Sequence, residues 1–468
     1  MTRLAAMATM DGIYLSTPEE HAMAYGNYLI ESDVVTFPAI QVAINRLLLD
    51  GLDVRLTPVS RNRALIPRHI LDAIEAQYGI DPWQYLQSNG VRFDKFYPIA
   101  DEDALALVTH RATQELDAQP NIAVPATSGV QWHLANINVP QAWALLGGPD
   151  TIAWACKVGQ IDTGFTRHPA LGYTGAAGAA GAASPWLLEA QCRNFYSPDP
   201  ASGNEPGDAS GEDPRSGPLW GHGTRIGATI SGWHPAGDGG ATFYGCAPKV
   251  PHVVVRISNT VLINDQLSAL ADALNYLVDV AQVDVINLSM GAVPRILTAK
   301  AKSAVNNAYE KGVIFICAGG QHVPRVVAPA CFGRTIAVGG TTSKDQVWAK
   351  ASRGPEIDWS APAADIRRAT IEKKTGPYVY RDNGDGTSYA AALSTGVAAL
   401  WLTHRANDIT QKYGKTWMRV CAFREIAKAT ARVPPVWGPG VAGTGILDAA
   451  AVLGAALPDV SAQKESPI

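Results

Sequence analysis

The chain has 468 residues, 47% hydrophobic and 17% charged, with a net charge of -4. That composition is ordinary for a globular protein and suffices for one large domain and a smaller one. The charge balance leaves no basic footprint for nucleic acid, and no run of about 18 apolar residues offers a membrane span.

At the N-terminus, Arg3 precedes a weakly apolar stretch from Leu4 to Met10 that stops at Asp11. Such a stretch is short for a secretory signal and is followed by an acid. A cytoplasmic location is therefore expected, with export by another route left open. Six cysteines (Cys156, Cys192, Cys246, Cys317, Cys331, Cys421) are dispersed, without the paired spacing of a metal site. Free thiols are expected, and Cys317 with Cys331 is the one pair to check for a bridge.

Residues 1–125 read as a separate, smaller α/β unit. Phe37 to Leu49 has helical apolar spacing, and Val54 to Pro58 reads as a short strand. Pro67 to Tyr78 and Glu102 to Leu116 read as helices. Asp117 to Gly129, with Pro120 and Pro125, reads as an exposed linker.

From Ile152 the pattern becomes strand, helix, strand. Strands are predicted over Ile152–Ile161, Val253–Ile257, Val283–Leu288 and Val313–Ala318. Helices are predicted over Gln266–Val280 and Ala299–Tyr309. Largely apolar strands alternating with helices indicate a parallel sheet with helices on both faces. Sites in such sheets lie at the carboxyl ends of strands. Asp162, Ser289 and Gly319 fall there.

Two loop stretches, Gly172–Ala183 and Asn194–Gly217, follow the first strand. The second carries Asp199, Asp208, Glu212 and Asp213. Loop carboxylates can hold calcium, but no EF-hand-like spacing is present, so a solvated loop is expected. No cofactor is required. The polar residues 456–468 read as a tail, fraying from Ser461 onward.

The most informative stretch is Gly386-Thr387-Ser388-Tyr389-Ala390-Ala391-Ala392, continuing to Leu400. It predicts a helix that is small or apolar on nearly every face and must therefore be buried. Ser388 stands at its start, near unpaired backbone N–H groups and the positive end of the helix dipole. That setting suits a nucleophile and a neighbouring oxyanion. Read alone, Ser388 or Thr387 would be an ordinary helix cap. Two further stretches change that reading. Val158-Gly159-Gln160-Ile161-Asp162-Thr163-Gly164 ends a strand on an Asp, and Gly221-His222-Gly223-Thr224 opens a helix on a His.

Asp, His, Ser is the chain order of the subtilisin arrangement. Over roughly residues 135–455 the chain resembles the subtilisin-like serine proteases. Val283 to Gly291, Ile336 to Thr341, Ser360-Ala361-Pro362 and Gly443 to Ala449 are similar to further blocks of that family, in order. The resemblance implies a subtilisin-like peptidase domain over residues 126–455, preceded by a propeptide-like or accessory unit over residues 1–125. It implies that Ser388 attacks the scissile carbonyl, His222 shuttles the proton and Asp162 orients the imidazole.

It also implies that Ser289, Met290 and Gly291, with Ala318 and Gly319, flank the primary specificity pocket. Open strand edges there would pair with an extended peptide. Gly320 departs from the family, which usually carries Asn at that position as an oxyanion donor. Gly320 or Gln321 is the oxyanion position, with His322 and Asn383 as further side chains in reach. Two functions follow. One is a serine endopeptidase working through an acyl-enzyme on a peptide or protein. The other, prompted by Gly320, is a catalytically weak relative that binds peptides.

Overall fold

The computed structural model describes short segments between residues 27 and 99, and residues 131–467 apart from 175–182, 198–206, 216–218, 236–240, 294, 373–375, 436 and 438–441. The chain divides into two compact units, Met1–Gln119 and Pro120–Ile468.

In the first unit, strands Asn27–Glu31, Thr57–Ser60, Arg63–Pro67 and Lys95–Ile99 form one antiparallel sheet. Asn27–Glu31 lies between Arg63–Pro67 and Lys95–Ile99. Helix Pro82–Ser88 buries Trp83 and Leu86. The helix expected from Pro67 is helical at residues 71–72 and 74–75. The helices expected over Phe37–Leu49 and Glu102–Leu116, and the linker at Asp117–Gly129, lie outside the described residues.

The second unit is built on seven parallel strands. In chain order they are β1 Val158–Asp162, β2 Arg193–Asn194, β3 His252–Arg256, β4 Val285–Leu288, β5 Ile314–Ala318, β6 Ile336–Thr341 and β7 Ile357–Pro362. Their order across the sheet is β7-β6-β5-β4-β1-β3-β2. Six of them (all but β2) are buried at every residue and largely apolar, as strands covered on both faces must be. Side chains alternate between the faces. Val158, Val285, Ile314, Ile316 and Val338 pack on one side. Ile161, Val253, Val255, Ile286, Leu288 and Phe315 pack on the other, against α2 Leu267–Asn275 and α3 Ala299–Glu310.

The first face carries the two helices that matter most, α1 His222–Ser231 and α4 Thr387–His404. Helix α4 is buried from Thr387 to Leu402. A helix small or apolar on nearly every face can only sit inside the fold, and here it lies against β4 to β7. Its two mid-helix hydroxyls do not stay unpaired: Ser394 donates to Ala390 O and Thr395 to Ala391 O, each at 2.9 Å. Trp359 Nε1 also donates to Ser394 Oγ at 3.0 Å.

The structure departs from the sequence reading in three places. The first strand starts only at Val158, because residues 152–157 make no ladder. The helix expected over Gln266–Val280 is α-helical from Leu267 to Asn275 and finishes in a wider π turn over Tyr276–Val280. The tail does not fray. Ser466 N–H donates to Tyr309 Oη at 2.7 Å, Arg424 reaches Ser466 Oγ at 3.1 Å, and Arg334 pairs with Glu465. The six cysteines are free thiols, Cys317 and Cys331 among them.

Two predictions follow from this packing. A Cβ at Gly396 of α4 would overlap Cys246 Cβ and stand 2.7 Å from its Sγ. Gly396→Ala is expected to lower unfolding stability by about 1–3 kcal/mol through overpacking. Urea titration reads this directly, and an unchanged midpoint would mean that the helix shifts to make room.

The second prediction concerns acid. His133, His168 and His252 are buried, and burial pushes each imidazole down to about 3, helped at His133 by the charge of Arg367. Below about pH 6.5 the unfolded chain takes up protons at these sites and the folded chain does not, so stability falls as pH falls from there towards 3. Three such groups give a slope of up to roughly 4 kcal/mol per pH unit. Urea midpoints measured between pH 7.5 and pH 4.5 test this, and a flat profile would contradict it.

Candidate active site

Asp162 ends β1, His222 opens α1 and Ser388 is the second residue of α4. The three come together at the carboxyl edge of the sheet. His222 Nδ1 lies 2.7 Å from Asp162 Oδ1, and His222 Nε2 lies 3.3 Å from Ser388 Oγ. Asp162 has no exposed surface, whereas His222 and Ser388 keep 8% and 9%. His222 and Ser388 therefore keep some surface open to the outside, and Asp162 keeps none.

Glycines make the approach of α1 feasible. A Cβ on Gly223 would overlap Gly164 O, and Gly164 itself sits at φ +100°. Any side chain at Gly223 would push His222 away from Asp162. Asp213, buried beneath this turn, accepts from Gly221 N–H at 2.6 Å and Arg215 N–H at 2.7 Å. Thr163 Oγ1 accepts from Gly223 N–H at 3.0 Å. Together these bonds fix the first turn of α1.

Ser388 is reached through Gly386, at φ +148°. Its Oγ donates towards Ser289 O at 3.2 Å, and Ser289 Oγ lies 3.0 Å from Ser388 O. So Ser289 touches the serine directly. Met290 is buried beside it. Ala318 closes β5, and Gly319 is bonded to Val338 O and Val327 N–H. Gly291 has both backbone groups engaged, by Val261 O and Ile263 N–H.

The two oxyanion candidates differ sharply. Gly320 has φ +105°, and a Cβ there would stand 2.8 Å from Val327 Cγ1 and 2.9 Å from Ser352 Oγ. No side chain fits. Gln321 instead reaches the turn before the serine, where its Oε1 accepts from Thr387 N–H at 2.9 Å. Both of its amide atoms lie within 3.7 Å of where a Cβ on Gly386 would be. Asn383 accepts from Arg368 at 3.2 Å within the hairpin of Ile366–Ile371 and Tyr378–Gly384, and His322 is held through its backbone by Lys350 O.

Among the described residues no cluster of three or more His, Cys, Asp or Glu side chains could hold a metal ion. Of the loop carboxylates, Glu212 pairs with Arg167 at 3.3 Å and Asp208 bonds Ser210. Asp199 lies outside the described residues. No helix among them is long and apolar enough to cross a membrane.

The family profile for the subtilases, Peptidase_S8, matches residues 155–440. This chain belongs to the subtilase family. Its relatives include the major intracellular serine protease of Bacillus subtilis (strain 168), 27% identical over 202 residues, 42% of this chain and 59% of that protein. The minor extracellular protease Epr of the same organism is 27% identical over 276 residues, 58% of this chain and 35% of that protein. Subtilisin E, also from that organism, is 26% identical over 311 residues, 64% of this chain and 70% of that protein. The chain thus spans 59% and 35% of the length of the first two. Among solved structures, MycP1 from the ESX-1 type VII secretion system overlays with a TM-score of 0.50 at 19% identity, over 74% of this chain and 92% of that one. That likeness supports the fold alone.

The candidate site contains one residue that the sequence reading passed over. Gln160 is wholly buried in β1, and its Nε2 donates to Asp162 Oδ2 at 3.2 Å and to Gly223 O at 2.9 Å. The signal was present: a polar residue in a central, covered strand, two positions before Asp162 and so on the same face. Its bond orients the carboxylate from the side opposite His222. Gln160→Leu is expected to lower turnover about tenfold, the equivalent of about 1.4 kcal/mol, with little change in KM. Steady-state kinetics test this, and a change confined to KM would remove Gln160 from the site.

Proposed function

We propose that this subtilase is a serine endopeptidase acting on a peptide or protein. The observation that carries the reading is the continuous contact from Asp162 through His222 to Ser388, at a strand end and two helix starts. His222 Nε2 takes the proton as Ser388 Oγ attacks the carbonyl carbon, and an acyl-enzyme forms when His222 returns that proton to the leaving amine. Water, activated by the same nitrogen, then releases the acid. Asp162, held by Gln160 and Thr163, keeps the imidazole turned and stabilises its charged form. No cofactor enters these steps. Residues 1–125 serve in this reading as a propeptide-like or accessory unit, ahead of the peptidase domain at 126–455.

The developing oxyanion is assigned to Ser388 N–H and Gln321 Nε2. With Gln321 Oε1 fixed by Thr387, the amide is held in one orientation, as an oxyanion donor must be. This assignment answers the one feature that favours a peptide-binding module, the missing side chain at Gly320.

Three variants test the proposal together. Ser388→Ala is expected to abolish peptide hydrolysis and fluorophosphonate labelling while leaving the fold intact, since Ala fits a buried helix start. Gln321→Ala is expected to lower turnover by roughly 10²-fold with a much smaller effect on KM, because the bond forms in the transition state. Gly320→Asn is expected to raise nothing, since φ +105° and the contacts of Val327 and Ser352 reject a side chain there. Hydrolysis by Ser388→Ala equal to the parent would sink the endopeptidase reading. A gain from Gly320→Asn would move the oxyanion role away from Gln321.

A further inference from the structure

The edge expected to pair with an extended peptide is already partly filled. In an extended chain the backbone groups of alternate residues point to the same side. Ser289 and Gly291 therefore offer their groups on one side of the cleft. The groups of Gly291 are both used. Gly291 N–H donates to Val261 O at 2.9 Å, and Gly291 O accepts from Ile263 N–H at 3.0 Å. Leu262 and Gly291 form a parallel bridge. One residue further along, Ala292 is paired in both directions with Ala328, at 2.8 and 2.9 Å. Asn264 Oδ1 accepts from Val293 N–H at 3.0 Å and pins the far end of the same segment. Among the described residues, Ser289 O accepts only from Ser388 Oγ, at 3.2 Å.

We infer that Val261–Ile263 is a specificity-setting strap, which limits backbone recognition to the one or two residues before the scissile bond. The inference rests on the peptidase reading above and narrows its substrate class. A peptide entering as a further strand would pair at Ser289 beside the serine. To continue to Gly291 it would have to break two backbone hydrogen bonds in order to make two. Such an exchange yields no net gain. Lifting the strap would also bring Ile263, which has no exposed surface, into water. Residues beyond the second therefore add length without adding binding, and preference is read from the side chains nearest the scissile bond.

The test uses the full chain and acetylated peptide anilides of one to four residues that share the same last residue. kcat/KM is expected to rise from one residue to two and then to stay within about twofold up to four, because exchanged hydrogen bonds contribute little net free energy. A rise of about tenfold or more between two and four residues would overturn the strap, since it corresponds to about 1.4 kcal/mol of new pairing. Fluorophosphonate labelling of the same sample separates the two readings. Absence of labelling removes the peptidase reading and leaves the strap to be judged by hydrogen exchange of the free protein. There, slow exchange at the Gly291 and Ile263 amides upholds it, and fast exchange at both overturns it.

Discussion

The site depends on a carboxyl group without any contact with water. Asp162 sits at the end of a covered strand, and burying such a group is costly unless hydrogen bonds replace those of water. Here Thr163 N–H, at 2.7 Å, and Gln160 Nε2 supply two of them, and His222 Nδ1 supplies the third. The third requires a helix to begin within contact distance of the loop after the strand. That requirement accounts for Gly164 and Gly223, whose missing side chains let the two backbones touch. It accounts as well for Asp213, which holds Gly221, and for Thr163 Oγ1, which holds Gly223. Once His222 is fixed there, Ser388 must arrive from above, and only a helix buried along its length brings it to the same edge of the sheet.

The sequence made the three central residues legible because each stands within two residues of a glycine that marks a tight turn or a close approach. It made the parallel sheet legible because strands covered on both faces have to be apolar. Other features left weaker traces. The hairpin of Ile366–Ile371 and Tyr378–Gly384 carries Arg367, Arg368, Arg381 and Asp382, and charges at that density hide the alternation that marks paired strands. The tail looked free because its residues are polar, but its hold comes from Tyr309, Arg334 and Arg424, which are far away in sequence. Hydrogen bonds between distant backbone atoms, like those of Gly291 with Val261 and Ile263, leave no pattern in side-chain type at all.

Gly320 shows how a departure from a family pattern can mislead when taken residue by residue. Read as a missing donor, it suggests a weakened enzyme. In three dimensions it is a position where the backbone turns at positive φ between Val327 and Ser352, so a glycine is what the turn allows. The next side chain, Gln321, is one methylene longer than Asn and reaches the turn before Ser388. In the proposed mechanism the longer side chain carries the donor function from one position further along.

The segment bonded to Gly291 is also tied to the edge of the sheet that carries Asp162. Leaving β3, Ile257 N–H donates to Asp162 O at 3.0 Å, and Asn259 O accepts from Leu219 N–H at 3.4 Å just ahead of α1. The chain then reaches Gly291 through Val261 and Ile263 and ends in the Asn264 bond to Val293. It is thus anchored to the Asp162 strand, to the approach to His222 and to the edge beside Ser289, in the space of eight residues from 257 to 264. A flexible lid has few bonds to its base and opens at little cost. This segment has bonds along its whole length, so it behaves as a wall. A wall so attached stays in place without any movement, and its backbone bonds tie together the end of the Asp162 strand and the residues that lead into α1.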